Sequence, residues 1–90
     1  MNQQKLVAEV AEQTGLSLIA TERTIIALLA SIKKSVARGE RVRLVNFGTF
    51  KRANRKARIG RNPQTNEAVA IPARKVATFT VGKDFQENVL

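Results

Sequence analysis

Ninety residues carry sixteen Lys and Arg against seven Asp and Glu, a formal net charge of +9, with no cysteine and no histidine. The length bounds the chain to a single domain, since domains cluster near ~100–150 residues. The composition excludes disulfide staples and the usual soft-metal ligands, so neither cofactor nor metal is expected.

From Asn2 to Thr14 the apolar residues Leu6, Val7, Val10 and Ala11 recur at helical spacing, which predicts a short amphipathic helix. Asn2 is placed to cap its first N–H groups and Gly15 to stop it, while Lys5 stands where a capping box would want an acid. The opening MNQQK has no apolar signal region and no run reaches the ~20 apolar residues of a membrane helix, so a soluble cytoplasmic protein is expected.

A second helix is predicted from a Ser17 cap to Arg38, with Gly39 just past its end. Ile25, Leu28, Leu29, Ile32 and Val36 line one stripe, and Leu18 and Ile26 widen it beyond what the first helix covers. The excess predicts a partner chain, because a body reduced by a projecting arm falls below the ~70–80 residues that sustain one core comfortably. Lys33, Lys34 and Arg38 read as end charges that complement the helix dipole.

Val42 and Leu44 alternate with Arg41 and Arg43, which predicts a strand. Asn46-Phe47-Gly48 turns the chain, Gly48 permitting a positive φ, and Thr49-Phe50 opens a longer strand. This strand runs into KRANRKARIGR, residues 51–61, where no acid occurs. On a continuous strand Lys51, Arg55 and Arg61 share one parity and Arg52, Lys56 and Arg58 the other, so neither face suits a core. Residues 41–75 as a whole hold ten basic side chains against one acid. Such a concentrated field attracts polyanions, chiefly nucleic acid or an anionic membrane surface.

Asn62-Pro63-Gln64-Thr65-Asn66 forms a turn, and Ala68 to Ile71 returns with Val69 and Ile71 on one side. Pro72 removes a ladder donor, so a register break is expected between Ile71 and Val76. Val76 to Val81 rejoins the body sheet, and Lys83 to Leu90 makes a short helix with Phe85 and Val89 four residues apart. The order helix, helix, three strands, helix defines an α+β domain. A basic ribbon of residues 51–75 projects from a body of 1–50 and 76–90.

Catalysis is disfavoured: most of the seven acids read as solvated helix positions, and the five glycines lack the spacing of a phosphate-cradling loop. A two-stranded ribbon enters a DNA groove readily, and its Arg and Lys would neutralise phosphates and displace counterions. By composition alone Pro63 reads first as a turn residue; the alternative is a wedge between base pairs.

Phe47-Gly48-Thr49-Phe50, then Arg58-Ile59-Gly60-Arg61-Asn62-Pro63-Gln64-Thr65, then Ile71-Pro72-Ala73-Arg74-Lys75-Val76 and Phe79-Thr80-Val81-Gly82-Lys83 resemble the bacterial HU family of histone-like DNA-binding proteins over the whole chain. Integration host factor subunits share that fold and the Gly-Arg-Asn-Pro segment; without the extension such subunits often carry after Leu90, the chain looks more like HU. The resemblance implies an intertwined dimer: a two-helix base, a three-stranded antiparallel sheet whose long β-ribbon arm projects, and a short C-terminal helix. It implies a shared dimer core at Phe47, Phe50 and Phe79. It implies DNA contacts from Arg52, Arg55, Lys56, Arg58, Arg61, Asn62, Pro63 and Gln64 on the arm, Arg74 and Lys75 on its return, and Lys83 on the body, and it makes Pro63 the intercalating residue.

The implied function is non-sequence-specific binding, bending and compaction of double-stranded DNA in the nucleoid, with bent, nicked or flexible DNA preferred. The alternatives are a sequence-specific bending subunit of the integration host factor type and an RNA-binding protein. A homodimer is expected, a heterodimer with a paralogue and RNA as a second partner stay open, and no membrane partner is expected. Four positions depart from the family pattern: Ile59 where a basic residue is common, Asn66 in place of the tip glycine, Val81 where proline often precedes Gly82, and Ala20 where an acid would complete the cap with Ser17.

Overall fold

A computed structural model describes all ninety residues, Met1–Leu90. The elements run α1 (Gln3–Thr14), α2 (Leu18–Ala37), β1 (Val42–Leu44), β2 (Gly48–Arg55), β3 (Arg58–Arg61), β4 (Ala68–Ile71), β5 (Arg74–Val81) and α3 (Lys83–Val89). The chain divides into two compact units, Met1–Lys34 and Ser35–Leu90.

In the first unit the predicted caps are in place. The Asn2 side chain accepts from the Lys5 N–H at 2.9 Å, and Gly15, at φ 73°, donates its N–H to the Ala11 carbonyl. A Cβ-bearing residue would be strained in that left-handed region. Ser17 Oγ accepts from the Ala20 N–H at 3.1 Å, so the cap forms without an acid at position 20. Val7, Ala11 and Thr21 are buried, and the Thr21 hydroxyl donates to the Ser17 carbonyl at 2.8 Å, which lets a polar side chain sit inside at little cost. Leu18, Ile26, Leu28 and Leu29 stay exposed, so much of the predicted apolar stripe is uncovered in a single chain.

The second unit begins with the last residues of α2, whose end is closed by two backbone bonds, Gly39 N–H to Val36 O and Glu40 N–H to Ser35 O. Its main sheet has the order β1-β2-β5, all antiparallel. In this register Gly48, Phe50, Arg52 and Asn54 oppose Val81, Phe79, Ala77 and Lys75 on one face. Thr49, Lys51, Ala53 and Arg55 oppose Thr80, Thr78, Val76 and Arg74 on the other. The aromatic face carries a chain of ring contacts: Phe85 stacks on Phe47 at 5.1 Å, Phe47 meets Phe79 at 5.4 Å, and Phe79 meets Phe50 at 4.7 Å. Offset and tilted pairs at these separations are favourable beyond the area they bury. The resemblance implies a shared dimer core at Phe47, Phe50 and Phe79; within the single chain Phe85, spaced as an ordinary helix position, joins their ring contacts.

Two sequence expectations need correction. The positive φ of the β1–β2 turn falls on Asn46, at 64°, and not on Gly48. Gly48 is required for a different reason: a Cβ there would run into the Phe79 ring and come within 2.6 Å of the Thr80 carbonyl oxygen. The returning strand does break, as Pro72 predicts, but the outgoing strand breaks as well, at Lys56-Ala57. The three expected strands therefore resolve into five, and β3 with β4 form a separate two-stranded ribbon beyond the main sheet.

Candidate nucleic-acid interface

The ribbon is built from short-range bonds. Arg58, Ile59, Gly60 and Arg61 pair with Ile71, Ala70, Val69 and Ala68. Asn62 N–H to Glu67 O, at 2.9 Å, closes the ladder, and Asn66 N–H to Asn62 O, at 2.7 Å, closes the turn. Within the loop Asn62 Oδ1 accepts from the Gln64 N–H at 2.9 Å, an Asx turn that fixes the chain on either side of Pro63. Asn66 takes φ 60°, the left-handed conformation that asparagine tolerates better than most residues, so the turn forms without the usual glycine. The Arg61 guanidinium spans the turn to the Asn66 carbonyl at 3.1 Å and keeps its other N–H donors free. Pro63 and Gln64 are exposed at the tip, and Asn62 is half-buried with its side-chain oxygen committed to the turn.

Because the strands break on both sides of the ribbon root, the parity that groups Arg52 with Lys56 and Arg58 does not carry through. Arg58 shares a face with Gly60, Val69 and Ile71, while Arg61 and the exposed Ile59 lie on the opposite face with Ala68 and Ala70. Cations therefore project from both sides of the ribbon. At its root Arg55, Lys56, Arg58 and Arg74 surround an open concavity of about 440 Å³ together with Ala57, Ile71 and Pro72. Arg55 and Arg74 are direct cross-strand partners. Like charges placed opposite one another repel, and no acid lines the concavity to relieve them. The arrangement is one that an anion would stabilise. Lys75 lies next to Arg74 but on the aromatic-face parity, and Lys83 opens α3 beside the β1–β2 turn.

Arg52 stands apart from the other predicted arm residues. Its Nη1 donates to the Ala37 carbonyl at 3.1 Å, and its Nη2 would lie 3.0 Å from a Cβ added at Gly39. The backbone bonds at the end of α2 satisfy the carbonyls of Ser35 and Val36; Arg52 takes the next one. Its charge sits where the helix dipole favours a cation, on the same face of β2 as Phe50. The only ion pair in the chain joins Arg38 to Glu40 at 3.1 Å, so none of the cations in 41–83 is neutralised by a carboxylate.

An exposed, acid-poor basic ribbon on an α+β body is a nucleic-acid-binding architecture. The family model described as bacterial DNA-binding protein matches residues 1–90, and the chain belongs to that family. The DNA-binding protein HU of Clostridium pasteurianum is 42% identical over 89 residues, covering 99% of this chain and 98% of the relative. The DNA-binding protein HU of Nostoc sp. is 44% identical over 89 residues, covering 99% and 95%. An Anabaena HU–DNA cocrystal structure superposes with a TM-score of 0.92 at 44% identity, covering 99% and 97% of the two chains. An HU variant from Thermotoga maritima gives 0.73 at 26% identity over the full length of both. No single helix of the chain is long and apolar enough to cross a membrane.

Proposed function

We propose that the protein is a non-sequence-specific architectural binder of double-stranded DNA, acting as a nucleoid-associated homodimer without catalytic activity. The ribbon, residues 51–75, is the DNA-binding arm; residues 1–50 and 76–90 form the body and the dimer contact. Arg55, Lys56, Arg58, Arg61, Arg74 and Lys75 meet phosphates along the arm, and Lys83 meets them on the body. Asn62 and Gln64 shape and flank the tip, and Pro63 enters a base step from the minor groove and opens it. The observation that carries this reading is the exposed Pro63 held by an Asx turn at the end of a ribbon whose cations have no carboxylate partner.

Unstacking a step costs a few kcal/mol, offset by the protein surface that bent DNA reaches, so DNA already bent, nicked or flexible is preferred over any base sequence. Dimerisation is supported by the apolar side chains a single chain leaves open: Leu28 and Leu29 in the first unit, Phe47 and Phe79 in the second. Energy transfer between dyes at the ends of a duplex tests the wedge. Pro63→Ala is expected to reduce bending while the protein stays folded and bound; bending equal to that of the parent would reject intercalation by Pro63. Competition between nicked, intact and random-sequence duplexes separates this reading from a sequence-specific bending subunit, which would hold one sequence against the excess.

A further inference from the structure

The two faces of the ribbon treat their apolar side chains differently. On one, Ile71 packs over Gly60: its Cδ1 lies 2.8 Å from where a Cβ on that glycine would sit, and Val69 is the glycine's cross-strand partner. On the other, Ile59 is paired with the small Ala70, with Arg61 and Ala68 as the next pair on that face. Ile59 is accordingly 78% exposed, against 46% for Val69. Beside it Ala57, Arg58, Ile59, Ala70, Ile71 and Pro72 line an open concavity of about 430 Å³. None of the six carries a hydroxyl, amide or carboxylate, so no side chain in the concavity accepts a hydrogen bond.

A bland explanation is available, because isoleucine suits a strand and single exposed apolar residues are ordinary. Threonine would suit the strand as well and keep the surface polar. Both edges of a two-stranded ribbon are open, and there an exposed apolar side chain invites wrong pairing. The surroundings indicate what Ile59 meets instead. Arg61 stands two residues along on the same face, about 7 Å away at ~3.3 Å per residue, with guanidinium donors to spare. A strand of duplex offers the matching alternation, a charged phosphate and then the C–H surface of a sugar, at ~3.4 Å of axis per nucleotide.

We infer that Ile59 is a specificity-determining residue that makes the arm select DNA over RNA, by packing on the C–H surface of the deoxyribose that walls the minor groove. An RNA duplex displays 2′-hydroxyls in that groove. One brought against Ile59 loses its water and finds no side chain to take its proton, and an unpaired buried polar group is costly. Phosphate contacts cannot make this distinction, because both duplexes carry the same phosphates. Ile59 acts by what it excludes.

This inference rests on the DNA-binding reading, and the test separates the two. Affinities for a DNA duplex and an RNA duplex of one length and sequence are measured for the parent, Ile59→Thr and Ile59→Val, with Arg61→Gln as a control. Both Ile59 variants keep a β-branched side chain, so the ribbon's backbone preference is retained. Only threonine adds a hydroxyl, which accepts from or donates to a 2′-hydroxyl. The difference in groove shape between the duplexes is common to all the proteins and cancels in the comparison. The parent is expected to favour DNA, and Ile59→Thr to lower the DNA-to-RNA affinity ratio by about tenfold, with Ile59→Val close to the parent. An unchanged ratio in Ile59→Thr, or an equal fall in Ile59→Val, overturns the role of Ile59 and leaves the arm reading standing. The control tests that reading: a lost phosphate contact lowers the slope of log affinity against log salt by about one on the DNA duplex. A parent-like slope in Arg61→Gln overturns the arm reading and this inference with it.

Discussion

Two adjacent side chains, Lys51 and Arg52, show how a single step along a strand decides which face of the sheet a residue occupies. Sequence places both in one basic tract, and their shared positive charge does not separate them. Register does: Arg52 reaches Ala37 and lies over Gly39, on the side of β2 that carries Phe50. Arg52→Ala is expected to remove a cation from an exposed helix C-terminus, a loss of about 0.3–1 kcal/mol. The thermal midpoint should fall by a few degrees, since each kcal/mol shifts a domain of this size by roughly 4–8 °C. The salt slope of DNA binding should not change, and a slope reduced by about one would instead place Arg52 on a phosphate. Gly48 carries the opposite lesson. Its glycine was legible, but the cause was not, because only the folded register brings Phe79 and the Thr80 carbonyl to where its Cβ would be. Gly48→Ala should therefore destabilise by about 1–3 kcal/mol through overpacking, read as a lower denaturant midpoint. A substitution tolerated at parent stability would mean that the strands shift apart easily.

The elements were readable where local chemistry fixes them. Asn2, Gly15, Ser17 and Gly39 mark helix ends with bonds made inside one turn, and each sits where the sequence reading put it. Pro72 announces its break because it lacks an N–H. The break at Lys56-Ala57 has no such marker: it faces the Pro72 break across the ribbon, and a ladder interrupted on one strand leaves its partner unpaired on the other. Phe85 was likewise hidden, because α3 places it on Phe47 through tertiary contact and not through spacing. The ribbon thereby has its own ladder and its own turn, which makes it separable from the main sheet by experiment. Asn66→Ala puts a less tolerant residue at φ 60°, at a cost approaching the ~1–2 kcal/mol of the left-handed region. Amide exchange should speed up across β3 and β4 and stay unchanged across β2 and β5; Asn66→Gly should preserve protection. Uniform acceleration through both ladders would show that the ribbon and the sheet open together.

At the scale of the whole molecule, the question is what covers the apolar surface a single chain leaves open. Phe47 and Phe79 are 42% and 41% exposed although each touches other rings, and Leu28 and Leu29 are 50% and 43% exposed on α2. With only Val7, Ala11 and Val36 among apolar side chains buried, a lone chain has little to hold it folded. A second copy would supply the missing contacts symmetrically, since a two-fold interface presents the same patch from both sides. Folding would then be coupled to association, and stability would depend on protein concentration by mass action. Urea unfolding followed over about two orders of magnitude in concentration should give midpoints that rise with concentration. Phe79→Ala should lower the midpoint at every concentration, by a free energy near the ~3–5 kcal/mol typical of a fully enclosed phenylalanine. A concentration-independent midpoint with a markedly smaller penalty would mean that the ring stays half open in solution. The arms would then belong to independent monomers. On the proposed mechanism a monomer would carry one Pro63 and open one step, whereas two arms related by a dyad would open two and bend the duplex between them. The unfolding series therefore tests whether the two arms of the proposed mechanism are joined in one particle.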